Sequence, residues 1–261
     1  MKTVPVTESE PWRFPAQSFA LLDKVAGKIE PEDAGLNEWF QKYFQNHRHR
    51  LAADLHIVRE HAEDNARLLE YGAVPLLMTA ALQALDYNVH AVDIQPERFA
   101  KTIDSLGLEV RRCDVETESV PYEDATFDVV LFNETFEHLR INPIFTLREV
   151  HRVLKPGGRL LLSTPNLRSF RGLRNLILHN RGHAVSAGIY EQYEKLETLG
   201  HMGHVREYTT RDVADFLQRI GLRVEKVIYR GGHGRGAVGV AERLAPSLRP
   251  FATLVAVADK P

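Results

Sequence analysis

Between Arg67 and Thr164, short apolar runs alternate with segments of helical period, and this alternation is what most narrows the folds open to the chain. Residues 67–72, 88–94, 109–115, 127–133 and 159–164 read as strands, bounded by turn residues. Residues 75–85, 96–106 and 142–154 read as helices, with Pro75 and Pro96 near first turns, where proline is tolerated. A further helix is expected at 210–220, with Thr209 or Thr210 as N-cap, Asp212 in its first turn and Gly221 just past its end. Strands are expected again at 222–229 and 251–258. Strands alternating with helices predict a mostly parallel sheet covered on both faces, with right-handed crossovers. Ligands of such sheets lie beyond the carboxyl ends of the strands, where the strand order reverses.

The flanks carry different patterns. Residues 1–36 mix Pro, Glu and Asp and read as an irregular extension, with one apolar patch at 19–25 suited to a short helix. Trp39, Phe40, Tyr43, Phe44, Leu51, Leu55 and Val58 recur at helical spacing, so 37–61 is an amphipathic helix. After Pro165 a stretch at about 167–206, rich in Arg, His, Gly and Tyr, is too long for a plain loop and reads as an inserted lid. Residues 231–236 read as flexible. The expected organisation is an N-terminal extension and helix at 1–61 and one domain at 62–261. With 261 residues, 44% of them hydrophobic and 26% charged, one large α/β domain with extensions fits. A net charge of -2 implies no single-sign field and argues against a nucleic-acid partner. One cysteine, Cys113, excludes an internal disulfide framework. The first residues lack an apolar signal core and no apolar run is long enough to span a bilayer, so a soluble, cytoplasmic protein is expected.

Three successive strand ends bear residues that suit a nucleoside. Gly72 lets the chain turn sharply and brings backbone N–H groups close to a ligand. Asp93 can accept both hydroxyls of a ribose. Asp114 can accept from an exocyclic amine of adenine, with Ile94 and Val115 as apolar neighbours of the ring. Taken singly, each has a plainer reading: a turn glycine, a helix N-cap and a solvated strand end. Their order and spacing make the joint reading the stronger one.

From Arg67 to Asn166 the chain resembles the core of class I S-adenosylmethionine-dependent methyltransferases. The resemblance is carried by RLLEYGA, VHAVDIQPERF, RRCDVE, VPYEDATFDVVLFNETFEHL and REVHRVLKPGGRLLLSTPN, and HVREYTTRDVADFLQRIGL extends it. It implies a Rossmann-like, doubly wound, mostly parallel seven-stranded sheet with the last strand antiparallel, and S-adenosylmethionine as cofactor. It also implies roles. Glu70, Tyr71, Gly72 and Ala73 would lie against the methionine part, Asp93 would hold the ribose, and Ile94, Asp114 and Val115 the adenine. Asn133 and Glu134 would line the methyl end, and Lys155-Pro-Gly-Gly158 would be a structural turn. The chain departs from the family at the cofactor loop, where G-x-G-x-G is usual and Gly72-Ala-Val-Pro-Leu76 stands here. That departure supports an alternative, a non-catalytic methyltransferase-like binding protein with a degenerate loop. A nicotinamide oxidoreductase is disfavoured, because G-x-G-x-x-G is absent.

Methyl transfer mainly requires a positioned nucleophile, and an oxygen acceptor also requires a base. His138, just past the fourth core strand, and His201 and His204 in the insertion are the candidate catalytic residues, with Arg206 beside them. Their plainer reading is as helix-start, capping or packing histidines. A metal is not expected, because the His pair lacks an adjacent carboxylate or cysteine, although Glu134 or Glu137 could supply one in space. His47, His49, His56 and His61 do not share one helix face. Arg168, Arg171, Arg174 and Arg181 form either a basic face for an anionic acceptor or a solvated helix face. The expected activity is methyl transfer to a small-molecule or saccharide acceptor, at oxygen, with His-assisted deprotonation. The expected partners are that acceptor alone, without nucleic acid or membrane span, and a homodimer is the candidate assembly.

Overall fold

The computed structural model describes residues 6–9, 16–186, 188–199, 203–232 and 236–260. Its strands are β1 (Val6–Ser9), β2 (Arg67–Tyr71), β3 (Asn88–Asp93), β4 (Glu109–Arg112), β5 (Phe127–Asn133), β6 (Leu154–Pro165), β7 (Leu222–Arg230) and β8 (Phe251–Ala258). Its α-helices are α1 (Ala16–Ala26), α2 (Ala34–His61), α3 (Leu77–Gln83), α4 (Ala100–Leu106), α5 (Pro143–Val153), α6 (Phe170–His179), α7 (Ile189–Leu199), α8 (Thr210–Ile220) and α9 (Ala237–Leu244). Hydrogen-bonded neighbours run β1-β7-β8-β6-β5-β2-β3-β4. The seven expected strands are all present, and β1 adds an eighth at the edge.

The chain divides into two compact units. One comprises Pro11–Leu131 and Arg152–Arg159. Within it β2 pairs in parallel with β3 on one side and β5 on the other, and β3 pairs in parallel with β4. Strand order therefore reverses between β2 and β5, the switch point at which such sheets bind ligands. Leu68, Leu69, Ala91, Val92, Val130 and Leu131 are fully buried. That explains why these strands read as apolar runs rather than as alternating ones. Phe127 is also fully buried and meets Tyr122 edge-on at 5.0 Å and His90 at 5.5 Å, with the Arg67 guanidinium over its ring.

The extension contains more structure than its composition suggested. Asp33 caps α2, its Oδ1 accepting from the Leu36 N–H at 2.8 Å. α2 then continues without a break to His61, burying Leu36, Phe40, Leu51, Leu55 and Val58. α1 packs against α2 and α3. The Lys155-Pro-Gly-Gly158 segment falls within the bounds of β6, which begins at Leu154, and Gly157 takes a left-handed φ of 75° there. Its Lys155 ammonium pairs with Asp128 on β5 at 2.7 Å, and Asp128 also accepts from the Arg67 N–H.

The other unit holds β1, residues 132–151 and the chain from Leu160 onward. β7 and β8 pair antiparallel over their length, and β1 adds to β7 in parallel. α8 packs on both β7 and β8 and buries Val213, Ala214 and Leu217. Its N-terminus is a reciprocal cap: Thr209 accepts from the Asp212 N–H, and Asp212 accepts from the Thr209 N–H. Gly221 ends it, as expected. The insertion carries α6 and α7. It is closed at its base, where Asn166 and Tyr208 form a parallel bridge and the Leu167 N–H donates to the Tyr208 carbonyl at 2.9 Å. Among the described residues no helix is long and apolar enough to cross a membrane.

Two substitutions separate core from cap. Phe127→Ala removes a fully buried ring and should lower unfolding free energy by about 3–5 kcal/mol. Thr209→Ala removes one capping acceptor and should lower it by about 1 kcal/mol. Urea denaturation followed by circular dichroism reads both, and similar effects from the two would contradict this ranking.

Candidate active site

In the first unit the carboxyl end of β2 leads into Gly72, whose φ of 67° is the left-handed conformation that glycine adopts without strain. The Gly72 and Ala73 N–H groups both donate to the Val92 carbonyl on β3. Asp93 closes β3 and is 9% exposed. Its Oδ2 accepts from the Val74 N–H at 3.0 Å and its Oδ1 from the Gln95 N–H at 2.9 Å. The loop without further glycines is thus tied to the residue expected to hold the ribose. Leu76, where the usual pattern has a third glycine, takes a φ of 67°. A non-glycine residue there is strained by about 1–2 kcal/mol. Leu76 is fully buried, which contributes about as much or more, so packing sustains the conformation.

Glu70 lies beneath this loop, 6% exposed, and accepts from the Thr79 hydroxyl at 2.5 Å. Burial, with the charges of Asp54 and Asp93 nearby, pushes its carboxyl up to about 8, although the Thr79 hydroxyl opposes this. Burial also raises the Asp93 carboxyl, against the pull of its backbone donors. Asp114, past the end of β4, is half-buried; its Oδ1 accepts from the Glu116 N–H at 3.1 Å. Tyr71 and Ala73 are buried, whereas Ile94 and Val115 are half-buried.

In the other unit the end of β5 passes through Asn133 into Glu134, a non-glycine residue with φ 49°. Such strain is sustained only where neighbours over-determine it. The Glu134 N–H donates to the Ser163 carbonyl, and its Oε1 accepts from the Ser163 hydroxyl at 2.9 Å. The buried guanidinium of Arg230 stands 3.5 Å from the same oxygen. A 3-10 turn over Phe136–His138 follows. Glu137 is fully buried, with its Oε2 accepting from the Thr164 hydroxyl at 3.0 Å. The His138 and His204 rings meet edge to face at 4.7 Å. His138 Nδ1 is 2.9 Å from the Gly203 carbonyl. His204 Nδ1 is 3.3 Å from the Ser186 hydroxyl.

The segment bearing His204 is held in place by specific partners. Val205 and Arg206 donate their N–H groups to the Glu137 carbonyl, and the His204 N–H donates to Gln192 Oε1 on α7. Gly203 has to be glycine, because a Cβ there would collide with the Gln192 carbonyl oxygen. Glu207, 6% exposed, receives the N–H groups of Ala184, Val185 and Ser186 together with the Ser186 hydroxyl. Arg171, Arg174 and Arg181, with His179, His183 and Ser186, line a cavity of about 390 Å³.

A family profile for the methyltransferase domain matches residues 41–227, more than half of the chain. The chain belongs to the class I S-adenosylmethionine-dependent methyltransferases. S-adenosylmethionine is accordingly its cofactor. Among curated relatives, this methyltransferase is 35% identical over 106 residues to a ubiquinone biosynthesis O-methyltransferase of Xanthomonas oryzae pv. oryzae. That match spans 39% of this chain and 44% of the relative, so less than half of the relative's length is represented. Among solved structures, a SAM-dependent methyltransferase from Archaeoglobus fulgidus superposes with a TM-score of 0.62 at 15% identity, over 85% of this chain and 99% of that one. The 1,6-didemethyltoxoflavin-N1-methyltransferase of Burkholderia thailandensis, solved with S-adenosylhomocysteine, superposes with a TM-score of 0.52 at 18% identity, over 89% of this chain and 95% of that one. At these identities both show the fold alone.

Of the residues expected in the methyltransferase site, His138 and His204 come together, and Glu137 joins them. His201 lies outside the described residues. Sequence reasoning missed Thr164, Ser186 and Glu207, which are ordinary polar residues until the fold aligns them. Arg230 had a legible signal, a lone charge closing an apolar strand end.

The Glu70 shift has a definite consequence for stability. Its carboxyl holds a proton in the folded, cofactor-free protein up to about pH 8, whereas the unfolded chain loses that proton near the ordinary 4.5. Stability from this group is therefore full below about pH 4.5 and is lost as pH rises towards 8. Glu70→Gln keeps a neutral group, so the difference in Tm between wild type and variant should change steadily from pH 5 to pH 8. Parallel profiles would show that Glu70 is ionised throughout.

Proposed function

We propose that this methyltransferase transfers the methyl group to an oxygen of a small-molecule or saccharide acceptor, with histidine-assisted removal of the acceptor's proton. The observation that carries this reading is the grouping of His138 and His204 with buried Glu137 directly after β5. In this family the segment after that strand faces the methyl end of the cofactor. The reading is also supported by the curated relative, whose name describes an O-methyltransferase.

For the cofactor, the residues present fit. Asp93 is a fixed acceptor at the end of β3, the strand beside β2, and suits the ribose hydroxyls. Ile94 and Val115 would flank the adenine, and Asp114 would accept its amine. Glu70, Tyr71, Gly72 and Ala73 would meet the methionine part, the last three through backbone. Asn133 and Glu134 would border the methyl end. When bound, the cofactor supplies an electrophilic methyl on a sulfonium.

The rest of the reaction falls to the chain's own groups. His138 Nδ1–H donates to the Gly203 carbonyl, which leaves Nε2 as the basic nitrogen. His204 follows the same logic through Ser186. Either ring can take the hydroxyl proton, and His201 stands as a third candidate by its place in the sequence. The arginine-lined cavity beside Ser186 suits an acceptor that carries an anionic group.

Calorimetry with S-adenosylhomocysteine tests the cofactor half. Wild type should bind and Asp93→Ala should not. Absence of binding by wild type would favour a non-catalytic protein with a degenerate loop. The acceptor half is tested on a panel of phenols, catechols and sugars. His138→Ala should lower kcat by about 10²–10⁴ while S-adenosylhomocysteine binding is unchanged. An unaffected kcat would remove His138 from the reaction.

A further inference from the structure

We propose that Glu137, His138 and His204 form a binding site for a divalent first-row transition cation, with coordination positions left open for the acceptor's oxygens. One ligand atom from each of the three residues lies within 4.8 Å of the others. Donors that share an ion at about 2.1 Å stand roughly 3 Å apart when adjacent and about 4 Å when opposed, so small rotamer changes close the set. This revises the expectation of no metal, which rested on the lack of a carboxylate next to the His pair in sequence. The fold supplies that carboxylate from the turn after β5.

The surroundings are those of a supported metal site. Ligating histidines donate their second ring N–H to a carbonyl or a carboxylate-linked group, which fixes the tautomer. His138 does this with the Gly203 carbonyl at 2.9 Å. For His204 the partner is the Ser186 hydroxyl, which donates its own hydrogen to Glu207 Oε1 at 2.5 Å and so accepts from the ring. In both rings Nε2 is then the ligand nitrogen. The third ligand is itself hydrogen-bonded, since Glu137 Oε2 accepts from Thr164. Two imidazoles and one carboxylate on one side of an ion suit Zn²⁺, Co²⁺ or Mn²⁺ and leave sites for exogenous oxygen.

The use of such an ion rests on the proposed oxygen methylation, although its binding does not. Acceptors with neighbouring hydroxyls, such as catechols and vicinal diols, would bind through both oxygens. The cation increases the acidity of one hydroxyl, whose proton passes to solvent. That oxygen forms the new C–O bond as the methyl's C–S bond breaks, with the electron pair staying on sulfur. With the ion bound, the two histidines assist deprotonation as its ligands, in place of accepting the proton themselves.

The test uses the untagged full chain, stripped with chelator and titrated with Co²⁺ by visible absorption and with Zn²⁺ by calorimetry. One equivalent should bind, and His138→Ala and His204→Ala should each weaken binding by at least about 100-fold. Thr164→Val should weaken it by about 10–100-fold. His56→Ala serves as a control, because half-buried His56 and exposed Glu60 form an i,i+4 pair that can take up metal adventitiously. S-adenosylhomocysteine binding, measured alongside, reports that each variant is folded. If His138→Ala and His204→Ala bind Co²⁺ as wild type does, or wild type binds none, the metal site is overturned while methyl transfer stands. If Co²⁺ binding tracks these residues but no hydroxyl acceptor is methylated, the site stands and the proposed acceptor class fails.

Discussion

The Asp93 carboxylate is the constraint on which the cofactor end of the first unit depends. It sits almost wholly buried at the end of β3, and it receives backbone N–H groups from the neighbouring loop and from its own turn. In a loop with several glycines the backbone can find its path without such a tether. Here only Gly72 has that freedom, and Leu76 takes a left-handed conformation that its buried side chain sustains. Two absent glycines, at Val74 and Leu76, are thus offset by one carboxylate and by packing. The replacement is stiffer than the original, because a buried leucine resists displacement more than a solvated glycine does.

The unit that includes His138 and His204 uses a different device. Backbone carbonyls and buried carboxylates orient groups from separate parts of the chain. Glu137 illustrates it: its carbonyl receives two N–H groups from the segment after α7, while its carboxylate meets Thr164 on β6. One residue therefore joins a strand end, the turn that follows β5 and the base of the insertion. Glu134, just past β5, and Arg230, at the end of β7, form a buried charged pair although their strands are not neighbours in the sheet. Buried charges so arranged contribute little net stability, but they resist rearrangement.

Much of the fold was legible because burial on both faces makes β2, β3 and β5 uniformly apolar, and because α2 and α8 keep a helical period. β1 escaped notice because Val6–Ser9 is short, largely polar and paired through its backbone to β7. Lys155-Pro-Gly-Gly158 reads as a turn by composition; it lies inside the bounds of β6, with Gly157 in a left-handed conformation that only a glycine there adopts without strain. In the site, Gly72, Asp93 and Asp114 could be found from spacing, since each closes a strand of the same sheet. The Glu137, His138 and His204 grouping could not be found in this way. It depends on Gly203 meeting Gln192 and on Glu207 gathering the 184–186 backbone, contacts between residues that no period connects.

Glu207 has one more effect. It fastens the middle of the insertion, at Ala184 to Ser186, close to the base that Asn166 and Tyr208 already close. The excursion is thereby two separate lobes, one built on α6 and one on α7, rather than a single long loop. Lengthening one lobe alters the closure entropy of that lobe alone, and doubling it adds only about 0.6 kcal/mol. Each lobe can thus be rebuilt without re-registering the other, and the arginines of the first can change independently of the glutamine that holds His204 from the second.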